Sequence, residues 1–180
     1  MVETLNNEVE AKIKEILEGN NAIMLATTGT DYSPWILGAY YVSKGIDIYL
    51  LVEKGGKSFA NIAQNKNVAY SISQNDATKD FLQGKAVVEI LPEEEEANVR
   101  AMLVEKMPWY QTFVPMVPVK IVSSKIFVTS LQNGWFPAKV LENRLNHEGC
   151  ATFLLMSFQS IMKLTKNNFA TCSNILASIG

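Results

Sequence analysis

The first nineteen residues carry a rhythm of three and four. Leu5, Val9, Ile13, Ile16 and Leu17 recur at those steps with Glu and Lys between them, which puts them on one face of a helix ending near Gly19. From Ala22 the pattern changes to short apolar or β-branched runs. Residues 22–28, 34–42 and 46–52 are separated by Gly29-Thr30-Asp31 and Ser43-Lys44-Gly45, so two successive hairpins are expected. Gly55-Gly56 breaks the third run, and Phe59, Ala60, Ile62 and Ala63 then fall at helical spacing within 57–65. Residues 68–73 and 81–91 read as two further strands joined by the polar loop 74–80. Pro92 and the carboxylates Glu93 to Glu96 open a helix, because proline suits the first turn and negative charge the positive end of the dipole. Val99, Met102 and Leu103 supply its apolar face, and Pro108 stops it. Residues 117–122 and 125–131 predict a last hairpin about Ser123-Ser124, followed by Asn133-Gly134-Trp135.

About six strands and three helices follow from this pattern. Strands joined by short turns pair antiparallel, and such a sheet with few helices closes into a barrel, so the fold class is mainly β, a six-stranded antiparallel barrel with flanking helices. A chain of 180 residues supports one domain with a proper core. That domain is expected over 1–142, N-terminal helix included. The remainder, 143–180, is a tail in which Phe153, Leu154, Met156, Phe158, Ile161, Met162 and Leu164 suggest a helix with an apolar arc too wide for solvent.

Composition narrows the setting. Sixteen basic and eighteen acidic residues, with no Lys/Arg stripe among aromatics, argue against a nucleic-acid partner. The N-terminal segment is charged and amphipathic rather than a secretory signal. No apolar run approaches the roughly 18 residues of a membrane span. Cys150 and Cys172 both fall in the tail, where they cannot frame a disulfide-stapled domain. A soluble, cytoplasmic protein is expected.

The segment most informative about chemistry is Glu53-Lys54-Gly55-Gly56-Lys57-Ser58, which lies between a strand and a helix. Glycines let backbone N–H groups converge on an anion, the helix N-terminus adds partial positive charge, and Lys57 and Ser58 supply a cation and a hydroxyl. The residues fit a phosphate seat or an ordinary turn and first helical turn. They do not fit the P-loop of nucleotidases, which needs a glycine where this chain has Leu51 and a parallel sheet where this chain has hairpins. The strand 34–42 is apolar on both faces: Trp35, Leu37, Ala39 and Tyr41 on one, Ile36, Gly38, Tyr40 and Val42 on the other. A barrel strand of this kind should be wet on one side. Its excess apolar face calls for a cover, whether a second subunit, a flat aromatic ligand or one of the helices, and Gly38 permits close approach.

The order of these parts resembles the FMN-binding split-barrel family, which includes the pyridoxamine 5'-phosphate oxidases. The resemblance covers about 21–131 and rests on Ile23 to Thr28 before a Gly/Asp turn, Ser33-Pro34 opening the next strand, Gly55-Gly56-Lys57-Ser58 with Asn61-Ile62 and Asn65, and Gly84-Lys85-Ala86. It implies FMN (flavin mononucleotide) as cofactor, with the phosphate on Gly56, Lys57 and Ser58. It further implies the isoalloxazine ring along Gly38, Ala39, Tyr40, Tyr41 and Val42, and the ribityl chain beside Val52. It implies a homodimer with the cofactor at the interface, to which Trp109 and Trp135 are the candidate contributions from the second subunit. The partners so implied are a small-molecule substrate or electron donor, and the activity that of an oxidoreductase or, alternatively, a non-catalytic flavin, haem or deazaflavin carrier.

The chain departs from the pyridoxamine 5'-phosphate oxidases in lacking charge over 35–42 and in having only Arg144 and His147 near its end, which argues against vitamin B6 oxidation. No catalytic acid or base stands out. His147 and Cys150 are too few to close a metal site, and the carboxylates Glu93 to Glu96 point around a helix start rather than into one site.

Overall fold

The computed structural model describes residues 2–74, 76 and 78–142, with side chains from Asn6 onward. The tail expected over 143–180, with Arg144, His147 and both cysteines, lies outside the described residues. The chain opens with α1 (Val2–Gly19), whose Val9, Ile13, Ile16 and Leu17 are buried as the sequence pattern requires. Each such side chain contributes roughly 1.5–3 kcal/mol when fully removed from water. Then come β1 (Ala22–Thr28), β2 (Pro34–Tyr40), β3 (Val42–Lys44), β4 (Asp47–Glu53), α2 (Lys57–Gln64), β5 (Asn67–Ile72) and β6 (Phe81–Ile90). A short 3-10 turn leads into α3 (Glu96–Lys106), followed by β7 (Met116–Ser130) and β8 (Trp135–Glu142). No helix among the described residues is long and apolar enough to cross a membrane.

The strands form one antiparallel sheet in the order β2-β1-β5-β6-β7-β4-β3, with β8 also on β7. The first and last strands of that order, β2 and β3, are consecutive in sequence and joined by the single residue Tyr41. Ends of a sheet joined by one residue must stand side by side, so the sheet curls into a barrel. Its seam runs between β2 and β4, which approach each other without a hydrogen-bonded ladder. The interior holds Ile23, Leu25, Ile48, Leu50, Val119, Ile126 and Val128, and α1 packs on the same core. A second, smaller cluster on the outside of β4 joins Leu51, Val99, Leu103, Met107 and Tyr110 under α3.

Six of these strands answer to those expected from the sequence, and three details differ. The run 34–42 is broken at Tyr41, whose amide donates to the Asn21 carbonyl at 3.0 Å before the chain changes neighbours. No turn forms at Ser123-Ser124, because both serines have partners in mid-strand. Ser123 pairs its hydroxyl with Tyr70 at 2.8 Å, while Ser124 donates to the Lys85 carbonyl at 3.0 Å where the β6–β7 register shifts. An extra residue accommodated in this way is a β-bulge, and β7 therefore runs unbroken. Finally, Trp135 opens a strand, β8, that pairs antiparallel with the C-terminal half of β7, from Lys125 to Ser130.

Gly84 explains itself through Tyr70. These residues are opposite each other on β6 and β5, and a Cβ on Gly84 would lie 2.2 Å from Tyr70 Cζ. The ring cannot retreat without losing its bond to Ser123. Gly84→Ala should therefore cost about 1–3 kcal/mol of stability, read as a lower urea midpoint at unchanged slope.

Burial raises the Tyr70 phenol to about 12, partly offset by the Ser123 hydrogen bond, and burial pushes Tyr41 up as well. Below the ordinary phenol pKa of about 10 both folded and unfolded chains are protonated and the stabilisation is complete. Above it the unfolded phenol ionises first, so stability should fall from about pH 10 toward 12. Urea titrations at pH 8 and 11 should show this loss, and Tyr70→Phe should flatten it.

Candidate functional site

α2 leaves β4 through Glu53-Lys54-Gly55-Gly56. Gly56 is its N-cap in extended conformation, with no side chain capping the helix, and the first intrahelical bond runs from the Ala60 amide to the Gly56 carbonyl at 3.1 Å. The amides of Lys57, Ser58 and Phe59 are thus left without backbone acceptors at the positive end of the helix. Lys57 is exposed and enters no ion pair or hydrogen bond among the described residues, whereas its neighbour Lys54 faces Glu93 at 3.7 Å. Ser58 is buried beneath it. Three amides without backbone acceptors, an exposed ammonium and a serine hydroxyl thus belong to one first turn, residue types suited to a phosphate. One group opposes it. Glu53 reaches back so that its Oε2 lies 3.4 Å from where a Gly56 Cβ would stand.

Across the seam lies β2. Among the described residues its only hydrogen-bonded neighbour strand is β1. The Tyr41–Asn21 bond fixes the alternation, so the amides of Ile36, Gly38 and Tyr40 point away from β1 toward the open edge. Leu37 and Ala39 pack inward. On the outward face Met24, Ile36 and Tyr40 are 55%, 63% and 43% exposed, and Trp35 is 47% exposed. Neither α1 nor α3 lies on this face: the helices cover β3, β4, β6, β7 and β8 instead. A groove of about 300 Å³ lined by Met24, Gly38, Tyr40, Ser71 and Ser73 runs along it. Among the described residues a Cβ on Gly38 would meet only Met24 Sδ, at 3.5 Å, an ordinary van der Waals contact.

The segment between α3 and β7 borders the same seam. The Lys54 amide donates to the Pro115 carbonyl at 3.0 Å, and Arg100 Nη1 donates to Thr112 Oγ1 at 2.7 Å. Trp109, more than half exposed, meets the Tyr40 ring edge-on at 4.9 Å between centroids.

The residues singled out from the sequence are therefore distributed unevenly. Gly56, Lys57 and Ser58 form one lip of the seam. Gly38, Ala39 and Tyr40 form the other, with Trp109 beside Tyr40. Val42 is half-buried in β3 against the α3 cluster, and Val52 lies in the barrel core. Tyr41 is wholly buried, its hydroxyl donating to the Leu17 carbonyl at 2.9 Å under the Lys106 ammonium, and it presents no side-chain surface to a ligand. Trp135 is elsewhere in this chain, in a groove against Glu8, Lys12 and Glu15 of α1.

Sequence reasoning noted Asn61 and Asn65 only as part of the resemblance and assigned no role to the side chains that hold α2 in place. Asn61 donates to Thr27 at 3.1 Å, Asn65 to Thr28 at 3.0 Å, and the amide and hydroxyl of Thr30 both donate to Gln64. The signal was present as three amide side chains in one short helix, but their partners are more than thirty residues away.

No family model and no curated protein matches the sequence. Solved structures do match. A candidate pyridoxamine 5'-phosphate oxidase from Listeria innocua aligns at 20% identity and TM-score 0.57, over 66% of this chain and 96% of that one. A heme binding protein from Mycobacterium smegmatis aligns at 17% and 0.61, over 74% of this chain and 57% of its own length. An F420 reductase aligns at 21% and 0.54, over 63% and 94%. The fold is that of the pyridoxamine 5'-phosphate oxidase-like split barrels. In a split barrel the seam is the natural cleft, and the donors described above stand on its two lips.

Glu53 offers a direct check on the electrostatics of the first lip. Its charge favours the helix N-terminus and disfavours any anion placed there. Glu53→Gln should lower the melting temperature slightly and tighten inorganic phosphate binding about two- to fivefold, the equivalent of about 0.5–1 kcal/mol.

Proposed function

We propose that the protein is a homodimeric FMN-binding split barrel and that it works as an oxidoreductase on a small molecule. The observation that supports the reading is the first turn of α2, where Lys57 has no ion pair among the described residues and three amides have no backbone acceptor. Lys57, Ser58 and the first-turn amides would hold the phosphate. The open-edge amides of Gly38 and Tyr40 are the donors available to the polar rim of the ring, and Trp109 with Tyr40 provides an aromatic wall. Bound FMN would supply hydride and electron chemistry at its N5. The chain's own part is to bind, orient and exclude water. The exposed face of Met24 and Ile36, with Trp35 exposed near the start of β2, gives a second subunit apolar surface to cover.

A second reading has support of its own, from the likeness to the M. smegmatis heme binding protein: a carrier of haem or flavin without catalysis. The colour of the purified protein separates the two. A yellow protein that elutes as a dimer and bleaches with a nicotinamide donor supports the oxidoreductase; a yellow but inert one supports a flavin carrier; a red one supports haem. A protein still colourless after FMN is added overturns the flavin reading.

Lys57→Ala removes one charge-assisted hydrogen bond, worth about 1.5–3 kcal/mol. FMN affinity, followed by flavin fluorescence, should fall about 10- to 150-fold, and unchanged affinity would move the phosphate away from α2.

A further inference from the structure

The two lips of the seam belong to different parts of the sheet. α2 follows β4, while the open edge is β2, and no backbone ladder joins β2 to β4. In a barrel closed on all sides the hydrogen-bond register would fix the distance between any two strands. Here something else must fix it. The residues that cross the gap are the amide side chains on the C-terminal half of α2. Asn61 Nδ2 donates to Thr27 Oγ1, Asn65 Nδ2 donates to Thr28 Oγ1, and Gln64 Oε1 accepts from both the amide and the hydroxyl of Thr30. All four bonds end on the last residues of β1 and the turn into β2.

Asn61 is the telling member. It is 1% exposed, and so is Thr27. A buried primary amide is costly unless bonded, and an aliphatic side chain would fill the same space without that cost. What an aliphatic contact does not give is direction, because it tolerates sliding where a hydrogen bond has distance and angle requirements. The backbone around it is equally tight: a Cβ on Gly29 would lie 3.0 Å from Asn61 Oδ1 and 3.2 Å from Gln64 Oε1.

We infer that the Asn61–Thr27 bond, with Gln64–Thr30 and Asn65–Thr28, is a strut across the seam that positions the anion seat at the α2 N-terminus against the open edge of β2. These are positioning residues, and the inference rests on the proposal that one FMN molecule spans both lips. A ligand that touches both lips depends on their spacing. One that touches only α2 does not.

That difference supplies the test, using FMN and inorganic phosphate as separate probes of the full chain. FMN affinity is read by flavin fluorescence, and phosphate affinity by the amide chemical shifts of Lys57 and Ser58 in the FMN-free protein. Thr27→Val keeps the shape but removes the acceptor; Thr27→Ser keeps the hydroxyl. The expected result is FMN binding weakened at least tenfold in Thr27→Val, phosphate binding within twofold of wild type, and Thr27→Ser close to wild type for both. If Thr27→Val fails to fold, Gln64→Ala, which cuts the exposed part of the strut, should show the same separation in smaller measure. A folded variant that binds FMN as wild type does, or that loses FMN and phosphate equally, overturns the strut. Wild-type protein that does not bind FMN at all overturns the functional proposal itself, a result distinct from both.

Discussion

A sheet whose end strands are consecutive in sequence, with one residue between them, has little freedom in shape. Tyr41 is that residue, and the contacts around it show how the corner is held. Its amide bonds to Asn21 and its hydroxyl to the Leu17 carbonyl, both at the C-terminal end of α1. Lys106, from the end of α3, donates to the Leu17 and Asn20 carbonyls and stands 4.6 Å above the Tyr41 ring. The free carbonyls of a helix C-terminus attract a cation, so one ammonium ties α1, α3 and the barrel corner together. Desolvation lowers the Lys106 pKa while Glu18 works against that shift. β2 and β3 leave this corner in different directions, and β4, which pairs with β3, approaches β2 without a hydrogen-bonded ladder, so the seam lies between β2 and β4.

An open strand edge is ordinarily a hazard, since its unpaired amides and carbonyls invite another strand. Among the described residues β2 carries no Lys and no bulge, and its outward face is Ile36, Gly38 and Tyr40. By contrast the other outer faces of the barrel are tended, with Asp47 paired to Lys120 at 2.8 Å on β4 and β7 and α1 and α3 packed nearby. An edge that, among the described residues, keeps unpaired amides beside exposed apolar side chains argues for an occupant. The proposed ligand and second subunit are both of the kind that would remove it from water.

Much of the fold was legible because its signals are local. The period of α1, the alternation in β1 with Ile23 and Leu25 turned inward, and the Pro92 helix start all depend on neighbours within a turn or two. Where the sequence misled, a long-range contact had replaced a local preference. Ser123-Ser124 has the composition of a turn, yet Tyr70, more than fifty residues away, satisfies one hydroxyl and the bulge opposite Lys85 satisfies the other. The break at Tyr41 was hidden for a related reason: 34–42 is a continuous apolar run, and nothing within it records that the chain changes partners there.

The candidate site divides along the same line. Gly55-Gly56-Lys57-Ser58 is a contiguous signal whose meaning lies in backbone geometry over a few residues, and the structure has there an extended glycine cap followed by amides without backbone acceptors. The other lip is a surface made by what is missing, a strand edge without a neighbour, and absence of a neighbour is a property of topology. Trp109 joins Tyr40 only because α3 ends where it does, and Trp135 is carried to the far side of α1 by a strand the sequence pattern did not announce. The strut lies between these cases. Its amides are visible in α2, but an Asn in a short helix reads equally well as solvated, and only the placement of Thr27 inside the barrel turns it into a constraint on the seam.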